Sequence, residues 1–399
     1  MLTEEIQRMS DRYVMNTYDR LPLSIVRGQG CHVYDAEGRS YLDCVGGVAV
    51  NTLGYSHPDL VTSIERQVRQ LLHTSNLFYT EPQAELAHCL VEHSFADKVF
   101  FCNSGAEANE AAIKLARKYS HDHFGPNRSE ILTMVNSFHG RTMATLSATG
   151  QTKIQHGFEP LVPGFTSVPF NDIDSLEAQI SKQTAAIMIE PILGEGGVIE
   201  ADTAYLKALR NLCTARNILL IFDEVQTGIG RTGSLFAYEQ FGVQPDIMTL
   251  AKGLGGGIPI GACLATENIT QAFTYGTHGS TFGGNPLACT VARQILRILL
   301  EGGELERCQE RGTYLRKGLL ALQEQFSFIK DVRGRGLLQG IELSIDGKPI
   351  VMDCLAHRVI INCTMGRVLR FIPPLIISQE EIDVLLATLE KVFLKQRDS

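Results

Sequence analysis

At 399 residues the chain is too long for one compact core, so two domains are expected. Its 44% hydrophobic and 20% charged content describes an ordinary soluble globular protein. A net charge of −8 without a basic cluster argues against nucleic acid as a partner. The N-terminal "MLTEEIQRMSDRY" lacks the apolar core of a signal peptide. No apolar run reaches the roughly 18 residues of a membrane span, so neither secretion nor insertion is expected. The ten cysteines are scattered and none forms a CxxC pair. They read as reduced, mostly buried thiols of a cytoplasmic protein, with no metal site.

From about residue 58 helix and strand alternate. "HPDLVTSIERQVRQLL" and "EPQAELAHCLVEH" have helical spacing, "KVFFCN" is a short strand, and "GAEANEAAIKLARKY" is a helix. The strands "EILTMV" and "TAAIMIEP", the helix "TAYLKALRNLCTARN" and the strand "ILLIFDEV" follow, then "DIMTLA" and "GACLAT". Apolar strands alternating with amphipathic helices predict an α/β fold with a mostly parallel sheet covered on both faces. After Pro286 the pattern changes to helices over 287–300 and 303–325 and shorter strands at "FIKDVRG", "LLQGIEL" and "VLRFIP", with "DGKP" as a turn. The expected division is an N-terminal segment, residues 1–50, packing with a small C-terminal domain, residues 287–399, beside a large domain over 51–286.

Ligands of open parallel sheets bind beyond the carboxyl ends of the strands, so the residues there carry the functional question. In "KVFFCNSGAEANE" Ser104 begins a helix with Glu107 three residues on, a capping box. Gly105 and Ala106 leave backbone N–H groups open to an anion such as phosphate, though a plain helix cap explains the same residues. "NSFHGRTM" places Phe138, His139 and Arg141 after another strand; an aromatic can cover a flat ring, and an arginine fork suits a carboxylate. "IEPILGEGG" adds Glu190 and Glu195 at a strand end. "ILLIFDEVQTGIGRTG" ends a strand with Asp223 and Glu224 and holds GxGxxG at Gly228, Gly230 and Gly233, with Asp246 where a ribose-binding acid would lie. A nicotinamide-dependent oxidoreductase is therefore the rival, weakened because carboxylates precede the glycines and would repel a pyrophosphate.

"DIMTLAKGLGGGIPIGA" sets Lys252 at the end of an apolar strand, ahead of four glycines. Taken singly, this lysine is either a strand-end residue pointing to water or an amine held for chemistry. Taken together, the residues supply a phosphate cradle, an aromatic lid, a strand-end acid, an amine and a substrate-sized arginine. One cofactor needs all five. Pyridoxal 5'-phosphate carries a phosphate, a pyridine nitrogen that wants a carboxylate, and an aldehyde that condenses with a lysine. Asp223 would keep that nitrogen protonated, and Lys252 would be the lysine and later the base.

At this point the sequence resembles the class III, fold-type I pyridoxal-phosphate aminotransferases, and within them the acetylornithine aminotransferases. "SGAEANE", "FHGRT", "FDEVQTGIGRTG", "AKGLGGGIPIGA", "HGSTFGGNPLA" and "LRFIPPL" match in order, over residues 27–375. The resemblance implies further roles. Gln226 would bond the phenolic oxygen of the cofactor and Val225 would pack on its ring. Thr281 would reach the phosphate of a neighbouring subunit, making a homodimer with shared sites. Arg141 and Arg370 would bind substrate carboxylates, with Glu195 switching Arg370 on or off. The implied reaction moves the terminal amino group of N2-acetylornithine to 2-oxoglutarate, a step of arginine biosynthesis. Succinylornithine, succinyldiaminopimelate, ornithine or 4-aminobutyrate are the other amine donors such an enzyme would use. Two positions depart from the family pattern. Leu193 stands where glutamine is usual, with little consequence expected. Gly46, Gly47 and Val48 stand where ornithine aminotransferases carry an aromatic, leaving room for an acyl group.

Overall fold

The computed structural model describes residues 1–397. After an N-terminal helix, Thr3–Tyr13, come three short strands, β1 (Ile25–Gln29), β2 (His32–Asp35) and β3 (Ser40–Asp43), an antiparallel meander. The central sheet takes seven strands: β4 (Lys98–Cys102), β5 (Glu130–Met134), β6 (Phe165–Val168), β7 (Thr184–Ile189), and then, past the small hairpin of β8 (Ile192–Leu193) and β9 (Ile199–Glu200), β10 (Leu219–Asp223), β11 (Ile247–Leu250) and β12 (Gly261–Ala265). Their spatial order is β4-β12-β11-β10-β7-β5-β6.

The pairs β11/β10, β10/β7, β7/β5 and β5/β6 are parallel, and every residue of β7, β10, β11 and β12 is buried. That explains their unbroken aliphatic runs: a strand covered on both faces has no polar side to alternate with. β12 alone runs against its neighbours. Its link from β11, residues 251–260, is too short to hold a crossover helix, so the chain must turn back.

The C-terminal region builds an antiparallel sheet in the order β13 (Ile329–Arg335), β14 (Leu338–Leu343), β17 (Val368–Phe371), β16 (Asn362–Thr364). β15 (Val359–Ile360) instead joins β3 in a parallel ladder, Val359 opposite Leu42, so the N-terminal meander and the C-terminal region share one sheet. Long helices at Pro286–Glu301 and Glu304–Gln325 lead into this part of the fold. The "DGKP" turn needs correction. Only Asp346 and Gly347 turn; Lys348 begins a helix to Ala356, and Pro349 sits in its first turn, where a missing N–H costs nothing.

The glycine motif after β10 also has a structural task. Arg231 is buried and donates through Nη1 to the carbonyls of Leu337 (3.0 Å) and Pro373 (2.5 Å), clamping this turn to the C-terminal region. Gly230 has φ +84°, and a Cβ there would meet Leu375 at 2.9 Å and Leu305 at 3.0 Å. Asp246 accepts from Arg210 (2.9 Å) and from the backbone N–H of Leu220 (2.7 Å). Neither feature is arranged for a dinucleotide. None of the ten cysteines is disulfide-bonded and nine are buried. No helix among the described residues is long and apolar enough to cross a membrane.

Candidate active site

The carboxyl ends of β4, β5, β7, β10 and β11 open into one cavity of about 400 Å³. Ser104, Gly105, Ala106, Phe138, Arg141, Glu195, Asp223, Val225, Gln226 and Lys252 all line it. Five strand ends that are far apart in sequence thus deliver their side chains to one place, as the parallel topology dictates.

At the first wall the helix Gly105–Phe124 starts. Ser104 Oγ accepts from the Glu107 N–H at 3.1 Å, fixing the cap. The Glu107 side chain turns to the N–H of Asn103 (2.6 Å), one residue short of a reciprocal box. The N–H groups of Gly105 and Ala106 belong to the first turn, which has no intrahelical acceptor for them, and the helix dipole adds positive potential there. Gly105 also has a packing reason: a Cβ would meet Val225 Cγ1 at 2.7 Å.

The floor is Asp223, 3% exposed. Its Oδ2 accepts from Asn109 Nδ2 (2.7 Å) and His139 Nδ1 (2.8 Å), and its Oδ1 from the Val225 N–H (3.0 Å). An ionised carboxylate only accepts, which assigns the donating proton to His139 Nδ1. Asn109 is itself held, accepting from Thr249 Oγ1 at 2.7 Å. Sequence reasoning gave Asn109 no role and His139 none beyond its loop. Asn109 had a legible signal: it is the polar residue on the apolar face of an alanine-rich helix.

Lys252 begins a single 3-10 turn (Lys252–Leu254) with φ +44°, an uncommon backbone conformation for any residue but glycine. Burial lowers its pKa and Arg370 adds to this, while Glu195, Asp223 and Glu190 oppose it. The amine therefore loses its proton more readily than an ordinary lysine, which suits a nucleophile and base.

Opposite lies the ion pair. Arg370 is 1% exposed and its Nη1 donates to Glu195 Oε1 (2.7 Å), the Gly194 carbonyl (3.0 Å) and Gln226 Oε1 (3.2 Å). Burial alone would raise the Glu195 carboxyl, but Arg370 and Lys252 outweigh it and hold the group below its usual range. Arg141 sits exposed at the mouth, its guanidinium 5.7 Å from the centroid of the Phe138 ring. Thr281 is not brought to this cavity; it lies exposed on the loop after Thr277, against a separate surface hollow with His73 and Leu77.

The profile of the "Aminotransferase class-III" family matches residues 13–393. The chain belongs to the class-III aminotransferases. This aminotransferase is 52% identical over 385 residues to the acetylornithine aminotransferase of Methanocaldococcus jannaschii, covering 96% of this chain and 97% of that one. It is 51% identical over 387 residues to the acetylornithine aminotransferase of Caldanaerobacter subterraneus subsp. tengcongensis, covering 97% and 98%. Among solved structures it superposes on the ornithine aminotransferase of Toxoplasma gondii with a TM-score of 0.96 at 35% identity, covering 100% of this chain and 96% of that one. The acetylornithine aminotransferase of Elizabethkingia anophelis gives 0.90 at 36% identity, covering 99% of each.

The enzyme is thus a pyridoxal-phosphate-dependent aminotransferase of fold-type I, and the nicotinamide reading falls. The cavity suits that cofactor on its own terms: a helix N-terminus for a phosphate, a fixed buried carboxylate for a ring nitrogen, and an amine of lowered pKa all line it.

Proposed function

We propose that this aminotransferase moves the terminal amino group of N2-acetylornithine to 2-oxoglutarate, giving N-acetylglutamate 5-semialdehyde and glutamate, in cytoplasmic arginine biosynthesis. The observation that carries the reading is the 2.7 Å ion pair between Arg370 and Glu195 beside Lys252. When bound, the cofactor supplies an aldehyde that takes up amino groups and a ring that withdraws electrons.

The residues then divide the work. Ser104, Gly105 and Ala106 would hold the phosphate, Gln226 the phenolic oxygen, and Phe138 and Val225 would pack against the ring. Asp223 would keep the proton on the ring nitrogen. Lys252 would act as the base that holds and moves the proton of the carbon bearing the substrate nitrogen. Arg141, at the mouth, takes the far carboxylate of either substrate. Acetylornithine brings no second carboxylate to the reacting carbon, so Glu195 stays on Arg370 and neutralises it. Glutamate and 2-oxoglutarate bring one, displace Glu195 and take the arginine fork. We place the unit boundaries near residues 50 and 286, with two copies of the chain sharing their sites.

Gly46, Gly47 and Val48 support an acylated donor: this stretch is a left-handed turn of small residues, all at positive φ, in the element next to Val50 on the cavity wall. The likeness to ornithine aminotransferase structures supports ornithine as the second reading. Steady-state rates with acetylornithine, succinylornithine, ornithine and 4-aminobutyrate decide between them. We expect the highest kcat/KM with acetylornithine; a preference for free ornithine overturns the assignment.

A further inference from the structure

Glu190 directly follows β7 and is 5% exposed, yet the reaction above gives it no task. Its Oε2 accepts from the Phe138 N–H at 2.9 Å and its Oε1 from the Gly194 N–H at 3.3 Å. One carboxylate therefore bridges two loops: the loop after β5 that carries Phe138 and Arg141, and the turn that carries Glu195. We propose that Glu190 is a positioning residue that ties the aromatic cover of the cavity to the gate at Glu195, and that taking up a proton loosens the tie.

The chemistry follows from acceptor count. An ionised carboxylate offers acceptors only, whereas a protonated one turns one oxygen into a donor. That O–H would face an N–H, so whichever oxygen holds the proton loses its link, and with the proton shared between the two oxygens both links weaken. The charged groups around it come from three elements: His139 on the loop after β5, Asp223 at the end of β10, and Lys252 after β11. Burial pushes Glu190 up to about 7 and Asp223 adds to this, while His139 and the two N–H groups oppose it. The tie is therefore made above neutral pH and released below it.

The inference rests on reading Phe138 as ring cover and Glu195 as gate, so its test uses the apoprotein, where neither role is exercised. Hydrogen–deuterium exchange, corrected for intrinsic rates, is followed in peptides spanning residues 136–142 and 192–197 at pH 6 and pH 8. A carboxyl titrating near 7 goes from about one-tenth ionised at pH 6 to about nine-tenths at pH 8, so protection in both peptides should be up to about tenfold lower at pH 6. Glu190→Gln should show the low protection at both pH values, with the helix Gly105–Phe124 unchanged. Protection in wild type that ignores pH overturns the proposal, whatever the variant does. So does loss of protection across the whole chain in Glu190→Gln, which would mark a general packing role. In the holoenzyme, Glu190→Gln should raise KM for both substrates more than it lowers kcat, and flatten the pH profile of KM near 7.

Discussion

Of the three carboxylates that line the cavity, two are held in opposite ways. Asp223 receives four hydrogen bonds, from Asn109, His139, the Val225 N–H and, at 3.5 Å, the Thr249 hydroxyl, and its side chain is 3% exposed. Glu195 has its carboxylate on one arginine and one amide, Arg370 at 2.7 Å and Gln226 at 3.4 Å, and its side chain is 30% exposed. A carboxylate pinned by fixed donors cannot follow a substrate. One paired mainly with a single guanidinium can be exchanged for a substrate carboxylate of the same charge and geometry. The floor of the site is built for constancy and the gate for competition.

The largest effects should come from breaking the floor. Lys252→Ala is expected to keep the fold and lose transamination altogether, and borohydride should fix the pyridoxyl label of the wild type on Lys252; recovery of the label on another lysine removes the assignment. On the proposed reading, Asp223→Asn would keep the shape but let the ring nitrogen lose its proton. Losing such preorganised charge should raise the barrier by several kcal/mol, roughly 3–4. KM should change far less than kcat, and near-normal turnover in Asp223→Asn contradicts the role.

Breaking the gate should cost one half-reaction only and leave the other near normal. On the proposed reading, Arg370→Ala removes a buried charge-assisted contact that the dicarboxylates would use and acetylornithine would not. Single-turnover absorbance should show near-normal loss of the cofactor's visible band with acetylornithine. Its return with 2-oxoglutarate should be slowed by about 2–5 kcal/mol. Equal damage in both directions means that Arg370 is part of the floor after all.

This contrast also marks what the sequence reveals. The floor was legible because each of its main groups sits at a strand end in an ordered motif: Asp223 after "ILLIF", Lys252 after "DIMTLA", Ser104 after "KVFFCN". The mostly parallel sheet was legible because strands buried on both faces carry unbroken aliphatic runs. What escaped were links made across the fold. Asn109 and His139 reach Asp223 from 114 and 84 residues away, and no local pattern encodes those approaches. The "DGKP" segment misled for a local reason: aspartate, glycine and proline suit a turn and a helix start equally well. The positive φ of Lys252 was hidden too, since the glycines that follow it drew the expectation of a tight turn to themselves.

Next in size is a pH effect on stability just behind the floor. Glu224 is buried, accepts from the N–H groups of Ala237 (2.6 Å) and Tyr238 (2.8 Å), and is pushed by burial up to about 7. A folded pKa above the unfolded one means the native state binds the extra proton between about pH 4.5 and 7, so stability falls as pH rises through that window. A shift of that size caps the contribution at about 3 kcal/mol. Urea unfolding at pH 5.5 and pH 8 should show wild type losing more stability than Glu224→Gln across the interval. Equal losses in the two proteins mean that Glu224 does not carry the proton.

The smallest expected effect concerns the proposed sharing of the site between two copies of the chain. Thr281 stands exposed on its loop, away from the cavity that holds Lys252. Around it the surface is apolar: Leu77, Phe78, Tyr79, Tyr275 and Phe282 are all more than half exposed. So much bare aromatic surface is a mark of association, and a second copy of the chain would cover it. In that arrangement Thr281 reaches the partner's phosphate, where a neutral hydroxyl on a charged acceptor contributes on the order of 1.5–3 kcal/mol. Thr281→Ala should therefore weaken cofactor retention by roughly ten- to a hundredfold while leaving the dimer intact, measured by dialysis and sedimentation together. Retention should fall without any change in the preference between acetylornithine and 2-oxoglutarate, because neither the floor nor the gate has been touched. A fully active monomer, or cofactor held as tightly by Thr281→Ala as by wild type, would remove the partner from the site and leave the cavity to close by other means.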